Sequence, residues 1–334
     1  MKKRLRWAII GSGVVAGAAA LAESARQVVT GYFVSIAMNR KAPPYPASAE
    51  KRIAGSCIDE KLLQQLEAAG QRLGAREHDV VHLESRDGTA LLGHWFPCEN
   101  PKRVIVAMHG WRSSWSRDFG LVMDFFRNNG CCVLCPEQRG QGGSGGAYMS
   151  FGLAERYDCL DWAAWVAEKM PGAPVYLCGV SMGASTVLMA AGLELPENVR
   201  GVIADCGFTS PAAIWEHVAK NHLHLRYDLC NGPARRKWRR RLALDMDAGS
   251  CVEAMKVCAV PVLFVHGEAD RFVPVEMTYE NYAACAAPKE LLIVKGAEHG
   301  MSYLTDPAAY EKKVLEFWQR FDKDSTHVVQ SEKT

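Results

Sequence analysis

Short apolar runs recur along most of the chain and alternate with longer segments that carry apolar residues at helical spacing. A continuous apolar run of this length is typical of a parallel strand that is buried on both faces of its sheet. The pattern predicts strands of this kind at residues 104–108, 132–135, 175–179, 199–205, 260–266 and 291–294. Such strands require helices that cover both faces of the sheet.

Helical segments lie between these runs and on either side of them. Their apolar spacing predicts helices at residues 58–73, 119–128, 155–169, 181–193, 275–284 and 310–321. Residues 80–84 and 91–96 flank the turn Arg86-Asp87-Gly88, which indicates a hairpin ahead of the first buried strand. The alternation predicts an α/β fold with a doubly wound, mostly parallel sheet.

Residues 208–255 interrupt the alternation, because they show helical pattern and contain no strand candidate. We expect this interval to form a helical lid, since ligands of open α/β sheets bind beyond the carboxyl ends of the strands. Its basic run at residues 235–241 fits either a solvated helix face or a surface for anionic headgroups. His217, His222 and His224 are not spaced to share one helix face, so they predict no metal site.

The amino terminus has the pattern of a membrane-targeting segment. Basic residues precede an uncharged run at residues 7–22, and residues 28–38 continue apolar. This favours an uncleaved signal anchor over a cleaved signal peptide, with the rest of the chain outside the cytoplasm. The alternative is a buried amphipathic helix of a cytosolic protein.

These features divide the chain into four parts. Residues 1–41 are predicted as signal anchor and juxtamembrane segment, and residues 42–77 as a linker and a helix. Residues 78–322 form the predicted α/β domain, and residues 323–334 a disordered polar tail.

Composition narrows the possible partners. The formal net charge of +2 over 334 residues gives no strong attraction to nucleic acid. Many of the 12 cysteines fall within or beside the buried runs, where a thiol behaves as a small apolar group. Cys132 and Cys135 form an isolated pair without zinc-like spacing. We therefore expect neither a structural metal nor a cofactor.

Residues Gly179-Val180-Ser181-Met182-Gly183 match the pattern G-x-S-x-G. They stand between a predicted buried strand and a predicted helix, which is the context the pattern requires. A sharp turn there raises the serine hydroxyl above the sheet, and the helix directs its N-terminus toward developing negative charge. The motif predicts Ser181 as a nucleophile.

A serine hydroxyl is a weak nucleophile near neutral pH, so it needs a base and a group that orients the base. His299 follows the last predicted strand and is the predicted base. Asp270 follows the strand before it and is the predicted acid, with Glu268 and Asp205 as alternatives. All of these positions lie at strand ends on the side of Ser181.

A tetrahedral intermediate needs backbone donors for its oxyanion. The N–H of Met182 is one predicted donor, because it directly follows the nucleophile. The N–H of Trp111, in the loop His109-Gly110-Trp111 after the first buried strand, is the other. The Trp111 ring is expected either to line an acyl pocket or to pack beneath the lid.

From about Val80 to Phe321 the chain resembles the α/β-hydrolase superfamily, and within it the branch of serine-aminopeptidase-like and Bem46-like hydrolases. The resemblance is carried by residues 109–111, 136–146 and 179–183 and by the segments around Asp270 and His299. It implies the fold and a Ser-Asp-His triad, but it says little about substrate, since the branch includes esterases, lipases, thioesterases and peptidases. Glu137 stands where the family usually has Asp, which puts the geometry of that loop in question.

These observations predict a membrane-anchored serine hydrolase that forms an acyl-Ser181 intermediate. A carboxylic ester with a small or lipid-like acyl group is the expected substrate, because an apolar helical lid suits an acyl chain. A peptidase or an acyltransferase is the alternative within enzymes. A binding module without activity is the alternative of another class, and the intact set of Ser181, Asp270 and His299 argues against it.

Overall fold

The computed structural model describes residues 2–45 and 60–322, with side chains from residues 19 and 61 onward in the two ranges. Most of the predicted linker and the polar tail at residues 323–334 lie outside the described residues. The side chains of the predicted anchor run at residues 7–22 lie largely outside them as well.

One sheet organises the described part of the chain. Its strands are β1 Asp79–Glu84, β2 Ala90–Phe96, β3 Arg103–Met108, β4 Cys131–Glu137, β5 Val175–Val180, β6 Val199–Asp205, β7 Val262–Gly267 and β8 Lys289–Val294. Their order is β1-β2-β4-β3-β5-β6-β7-β8. β2 pairs antiparallel with β1 and β4, and the other neighbours pair in parallel. The mostly parallel α/β sheet predicted from the sequence is therefore confirmed.

Side chains of the buried strands enter two separate cores. In β3, Val104, Val106 and Met108 pack into one core, whereas Ile105 and Ala107 pack into the other. Successive side chains of a strand point to opposite faces, so a strand that is covered on both sides must be apolar throughout.

Helices cover both faces. They are α1 Lys2–Met38, α2 Glu60–Gly74, α3 Trp115–Phe119, α4 Met123–Asn128, α5 Glu155–Lys169, α6 Met182–Ala190, α7 Pro211–His217, α8 Tyr227–Leu242, α9 Cys251–Val257, α10 Val275–Ala284, α11 Ser302–Thr305 and α12 Pro307–Phe321. A π-helical turn, Val218–His222, follows α7. α5 to α9 pack into the first core, and α3, α4 and α12 into the second.

The helix predicted at residues 119–128 is interrupted. α3 ends at Phe119 and α4 begins at Met123, with Gly120 between them. A Cβ on Gly120 would lie 2.7 Å from the backbone of Ala69 in α2, so only glycine permits this close approach. Gly120 itself keeps helical dihedral angles (φ −59°, ψ −36°), so the contact with α2 explains the glycine and not the break.

The end of α1 belongs to the packed body of the molecule. Val34 and Met38 are buried in the first core. Farther from that end, Arg26 donates to the carbonyl of Leu229 in α8 at 2.6 Å. Within the described residues, no helix combines the length and the apolar character needed to cross a bilayer. The signal anchor stays a prediction.

Candidate active site

Ser181 lies in a sharp turn between β5 and α6. Its φ of 56° and ψ of −118° are unusual for a residue with a side chain, and its N–H donates to the carbonyl of Asp205 at 2.8 Å. Steric crowding requires the two glycines of the motif. A Cβ on Gly183 would lie 1.9 Å from the carbonyl oxygen of Met108, and one on Gly179 would lie 2.3 Å from Gly183. The crowded backbone explains the motif.

The structure brings Ser181, His299 and Asp270 together. The distance from Ser181 Oγ to His299 Nε2 is 2.8 Å, and that from His299 Nδ1 to Asp270 Oδ2 is 2.6 Å. An ionised carboxylate can only accept hydrogen bonds, so Nδ1 of the neutral imidazole carries the proton. Nε2 is then free to accept a hydrogen bond from the serine hydroxyl, as a general base must.

Asp270 is fixed by donors other than His299. Its Oδ1 accepts the N–H groups of Phe272 and Val273 at 2.8 and 2.9 Å. The ring of His266 lies 3.1 Å from Oδ2. Burial alone would raise the pKa of Asp270, but the neighbouring His299 and the hydrogen bonds from both histidines hold the pKa well below its usual range. The carboxylate therefore stays ionised.

Burial and neighbouring negative charge also act on the pKa of His299, in opposite directions. Burial would lower its pKa, whereas the charge of Asp270, its hydrogen bond and the more distant Asp205 raise the pKa above the ordinary value. Phe272 packs edge-on against the imidazole, with ring centroids 4.9 Å apart. The ring is thus held between a carboxylate, a hydroxyl and an aromatic side chain.

The alternative acids have other partners. Asp205 Oδ1 accepts the hydroxyl of Ser302 at 2.8 Å, and burial raises the pKa of Asp205 to about 6. Glu268 Oε2 accepts the N–H of Gly296 at 3.3 Å. The structure therefore places Asp270, and not these two carboxylates, against His299.

Trp111 and Met182, the predicted oxyanion donors, border the same cavity as Ser181. Met182 is the first residue of α6, where backbone N–H groups have no partner within the helix. The neighbours of Trp111 are engaged, since Gly110 N donates to Asp118 Oδ2 and Arg112 N donates to Gln141 Oε1, both at 2.7 Å. These bonds fix the loop that carries the Trp111 N–H.

The cavity beside Ser181 has a volume of about 100 Å³. Its wall combines the end of α1, the helices between β6 and β7, and Phe272. Most of its side chains are apolar, such as Phe33, Ile214 and Leu225. A space of this kind accepts an apolar group next to the serine hydroxyl.

The wall that α1 supplies is tied to the Trp111 loop. The Trp111 indole donates to the carbonyl of Ala37 at 2.8 Å. The Arg112 guanidinium donates to the carbonyls of Ile36 and Asn39, at 3.0 and 2.6 Å. These donors satisfy carbonyl groups that the end of a helix leaves unpaired.

The loop after β4 closes around Glu137. Its carboxylate contacts His94 Nε2 at 2.8 Å and accepts the N–H of Gly143. Gly140 N donates to the carbonyl of Gly145 at 2.7 Å, which closes the turn. The loop therefore accommodates Glu137 in place of the shorter Asp that the family usually has.

One group of side chains could offer ligands to a metal ion. Atoms of Cys206, Asp270 and His299 lie within 4.8 Å of one another. Burial raises the pKa of the Cys206 thiol well above its usual value, which opposes formation of the thiolate that metal binding requires. Asp270 and His299 already satisfy each other, so the donor set fits a metal poorly.

Several residues of the site were not recognised in the sequence. His266 had a signal, because it ends a buried strand four residues before Asp270. Asp118 had none, since an acidic residue in a short helix is common. The α1 residues Thr30, Phe33 and Ala37 line the cavity, but they lie in an apolar segment whose pattern predicts a juxtamembrane position.

Comparison with known proteins identifies the class. Residues 104–313 match the alpha/beta hydrolase family, and the chain belongs to that family.

The chain is similar to several known proteins, of which three are described. It is 29% identical over 244 residues to the uncharacterized protein YqkD of Bacillus subtilis, which covers 70% of this chain and 76% of YqkD. It is 30% identical over 129 residues to monoglyceride lipase of Rattus norvegicus, covering 37% and 42% of the two chains. The structure of the esterase Pf2001 of Pyrococcus furiosus superposes with a TM-score of 0.61 at 21% identity. This match covers 76% of the present chain and 96% of the Pf2001 chain.

Proposed function

We propose that this protein is a serine hydrolase that works through an acyl-Ser181 intermediate. The supporting observation is the chain of hydrogen bonds from Ser181 Oγ through His299 to Asp270, at 2.8 and 2.6 Å. Three side chains that are far apart in the sequence meet in the geometry needed to activate an alcohol.

The reaction would proceed in two halves. Ser181 Oγ attacks the substrate carbonyl carbon while His299 Nε2 takes the hydroxyl proton, and the N–H groups of Trp111 and Met182 bind the oxyanion. His299 then returns the proton to the leaving group, and the bond from the carbonyl carbon to that group breaks. In the second half, water attacks the acyl-serine, His299 again transfers the proton, and the acid and free Ser181 are released.

A carboxylic ester is the substrate class that the cavity favours. Its wall is mainly apolar and suits an acyl chain, and the chain shares partial similarity with a monoglyceride lipase. The helices between β6 and β7 cover the cavity and would act as its lid. An amide substrate or an acyl acceptor other than water is the alternative for the same nucleophile.

Membrane attachment is a separate part of the proposal and rests on the sequence alone. The basic residues before an uncharged run at residues 7–22 would anchor the chain and place the hydrolase domain outside the cytoplasm. Protease added to intact cells would then degrade the domain. A domain that is degraded only after lysis would contradict this orientation.

Two assays test the chemistry. A fluorophosphonate probe is expected to label the wild type and not Ser181→Ala, and equal labelling of both would contradict the assigned nucleophile. A panel of aryl esters and aminoacyl amides is expected to show faster turnover of the esters. Preference for the amides would replace the esterase by a peptidase.

A further inference from the structure

Two cysteine side chains at the edge of the first core lie within bonding reach of each other. Cys98 follows β2 and Cys132 lies in β4, and their sulfur atoms are 2.9 Å apart. The N–H of Cys98 also donates to Cys132 Sγ at 3.2 Å. Because a disulfide bond joins two sulfur atoms at about 2.05 Å, a shift of less than about 1 Å would bring this pair to bonding distance.

The strands hold the two residues in this position. β2 and β4 pair antiparallel, with Phe96 opposite Val133, so the chain leaves β2 beside the beginning of β4. Cys132 is buried in the first core, and the half-buried Cys98 packs against the same core. Both sulfur atoms therefore lie on one side of the sheet, which a bond between neighbouring strands requires.

The adjacent cysteine of β4 is placed differently. Cys131 directly precedes Cys132, but its side chain lies in the second core, where its sulfur accepts from Arg103 Nη1 at 3.7 Å. Successive side chains of a strand point to opposite faces, so Cys131 cannot share the contact with Cys98. The chain thus offers one cysteine that can pair with Cys98 and, directly beside it, one that cannot.

We propose that Cys98 and Cys132 form a disulfide bond when the chain folds in the presence of a disulfide oxidant such as oxidised glutathione. One protein thiolate attacks a sulfur of the oxidant, and a glutathione thiolate leaves. The second protein thiolate attacks the protein sulfur of the mixed disulfide, and the second glutathione leaves. The two protein thiols thereby lose two protons and two electrons, and the oxidant is reduced to two thiols.

Burial determines when this bond can form. Burial and, to a lesser extent, the contact with Cys132 raise the pKa of the Cys98 thiol to about 12. Since the thiolate is the attacking species, the folded and reduced protein should oxidise slowly. In the unfolded chain both thiols are exposed to water, so oxidation should accompany folding.

The bond would close the chain between residues 98 and 132. The closed segment contains β3, the loop of Trp111, α3 and α4. A disulfide across a long segment restricts the unfolded chain and thereby stabilises the folded state. The proposed location outside the cytoplasm would supply oxidising conditions, but the bond does not depend on the chemistry of Ser181.

Refolding of the full-length protein with and without oxidised glutathione tests the pairing. After the remaining thiols are blocked, tryptic digestion and mass spectrometry should recover Cys98 joined to the peptide that contains Cys132, and reduction should separate the two peptides. The midpoint of thermal unfolding should be higher in the oxidised than in the reduced protein by about 5 °C. Because the two forms share one sequence, this difference is independent of the stability of the reduced chain.

Variants assign the bond to its residues. Cys98→Ser and Cys132→Ser should each abolish both the linked peptide and the difference in midpoint. Cys131→Ser changes the adjacent position on the opposite face and should retain both. Should Cys132→Ser fail to fold, Cys98→Ser provides the same test at a half-buried position.

Three results would overturn the proposal. The first is recovery of Cys98 as a free thiol after refolding with excess oxidant. The second is a linked peptide that persists in Cys132→Ser, and the third is one that is lost in folded Cys131→Ser. Labelling of Ser181 by a fluorophosphonate is measured separately, so failure of the disulfide would leave the proposed hydrolase unaffected.

Discussion

The polar groups around Ser181 and those in the wall of the adjacent cavity differ in whether they have hydrogen-bond partners. At the strand ends, Asp270 accepts two backbone N–H groups and His299, and His299 in turn meets Ser181. In the cavity wall, Thr30 Oγ1 and Trp215 Nε1 have no partner among the described residues. The first region is pre-organised for chemistry by its hydrogen bonds, whereas the wall of the cavity is mainly apolar.

The two regions also derive from different parts of the chain. Ser181, Asp270 and His299 all lie within residues 104–313, the range that matches the alpha/beta hydrolase family. The α1 part of the wall lies outside that range. The proposed triad therefore lies in the part of the chain that matches the family, whereas α1 adds part of the cavity wall from outside that part.

The largest expected effect comes from removing the nucleophile. Ser181→Ala should reduce ester turnover by at least about 10⁴-fold, because no other group can form the acyl intermediate. Initial rates with an aryl ester provide the measurement, and an unchanged thermal transition would show that the variant is folded. Turnover within ten-fold of wild type would refute the role of Ser181.

The second-largest effect is expected from replacing Asp270, the carboxylate that orients His299. Asp270→Asn should lower kcat by about 10³- to 10⁴-fold, because an amide cannot stabilise the charged imidazole and favours the wrong tautomer. The matched control is Glu268→Gln, which removes a neighbouring carboxylate that contacts Gly296 instead. Equal losses in both variants would show a general electrostatic effect rather than a specific orienting role.

A third variant, at Asp118, tests whether this residue positions the loop after β3 that carries Trp111. Its carboxylate accepts the N–H of Gly110 at 2.7 Å and also contacts the hydroxyl of Ser113. Asp118→Ala should lower kcat by about ten-fold with little change in KM, since a displaced Trp111 N–H weakens binding of the oxyanion and not of the ester. A rise in KM with constant kcat would place Asp118 in substrate binding.

The sequence predicted the sheet and the residues at its strand ends well, for a physical reason. A buried strand is apolar throughout, so its end is marked by the first polar residues, and parallel strands end at one edge. Ser181, Asp270 and His299 each follow such a run. Periodicity and turn chemistry therefore locate them without tertiary information.

The part of the cavity wall that α1 supplies could not be predicted in this way. Thr30 and Phe33 lie in an apolar segment whose pattern fits a membrane-proximal helix as well as a packed one. Contacts distant in sequence, such as those of Trp111 and Arg112 with the last turn of α1, show where that segment lies. The glycine at position 120 is likewise required by a neighbour distant in sequence, Ala69.

The smallest expected effect concerns the pH dependence. His299 must be neutral to act as a base, so kcat/KM should fall as the pH decreases through its pKa. Because Asp270 and, more weakly, Asp205 raise that pKa, the midpoint of the acid limb should lie above the ordinary value of 6.5. A profile of kcat/KM between about pH 5 and 9 would locate the limb.

The variant Asp205→Asn measures how the more distant carboxylate of Asp205 contributes to the pKa of His299. Removing its negative charge lowers the pKa of His299, so the acid limb should move to lower pH while the rate at the optimum changes little. Glu268→Gln should shift the limb less, since Glu268 is not among the largest contributors to the raised pKa of His299. A shift to higher pH in Asp205→Asn would mean that Asp205 acts through Ser302 and the position of the His299 loop rather than through its charge.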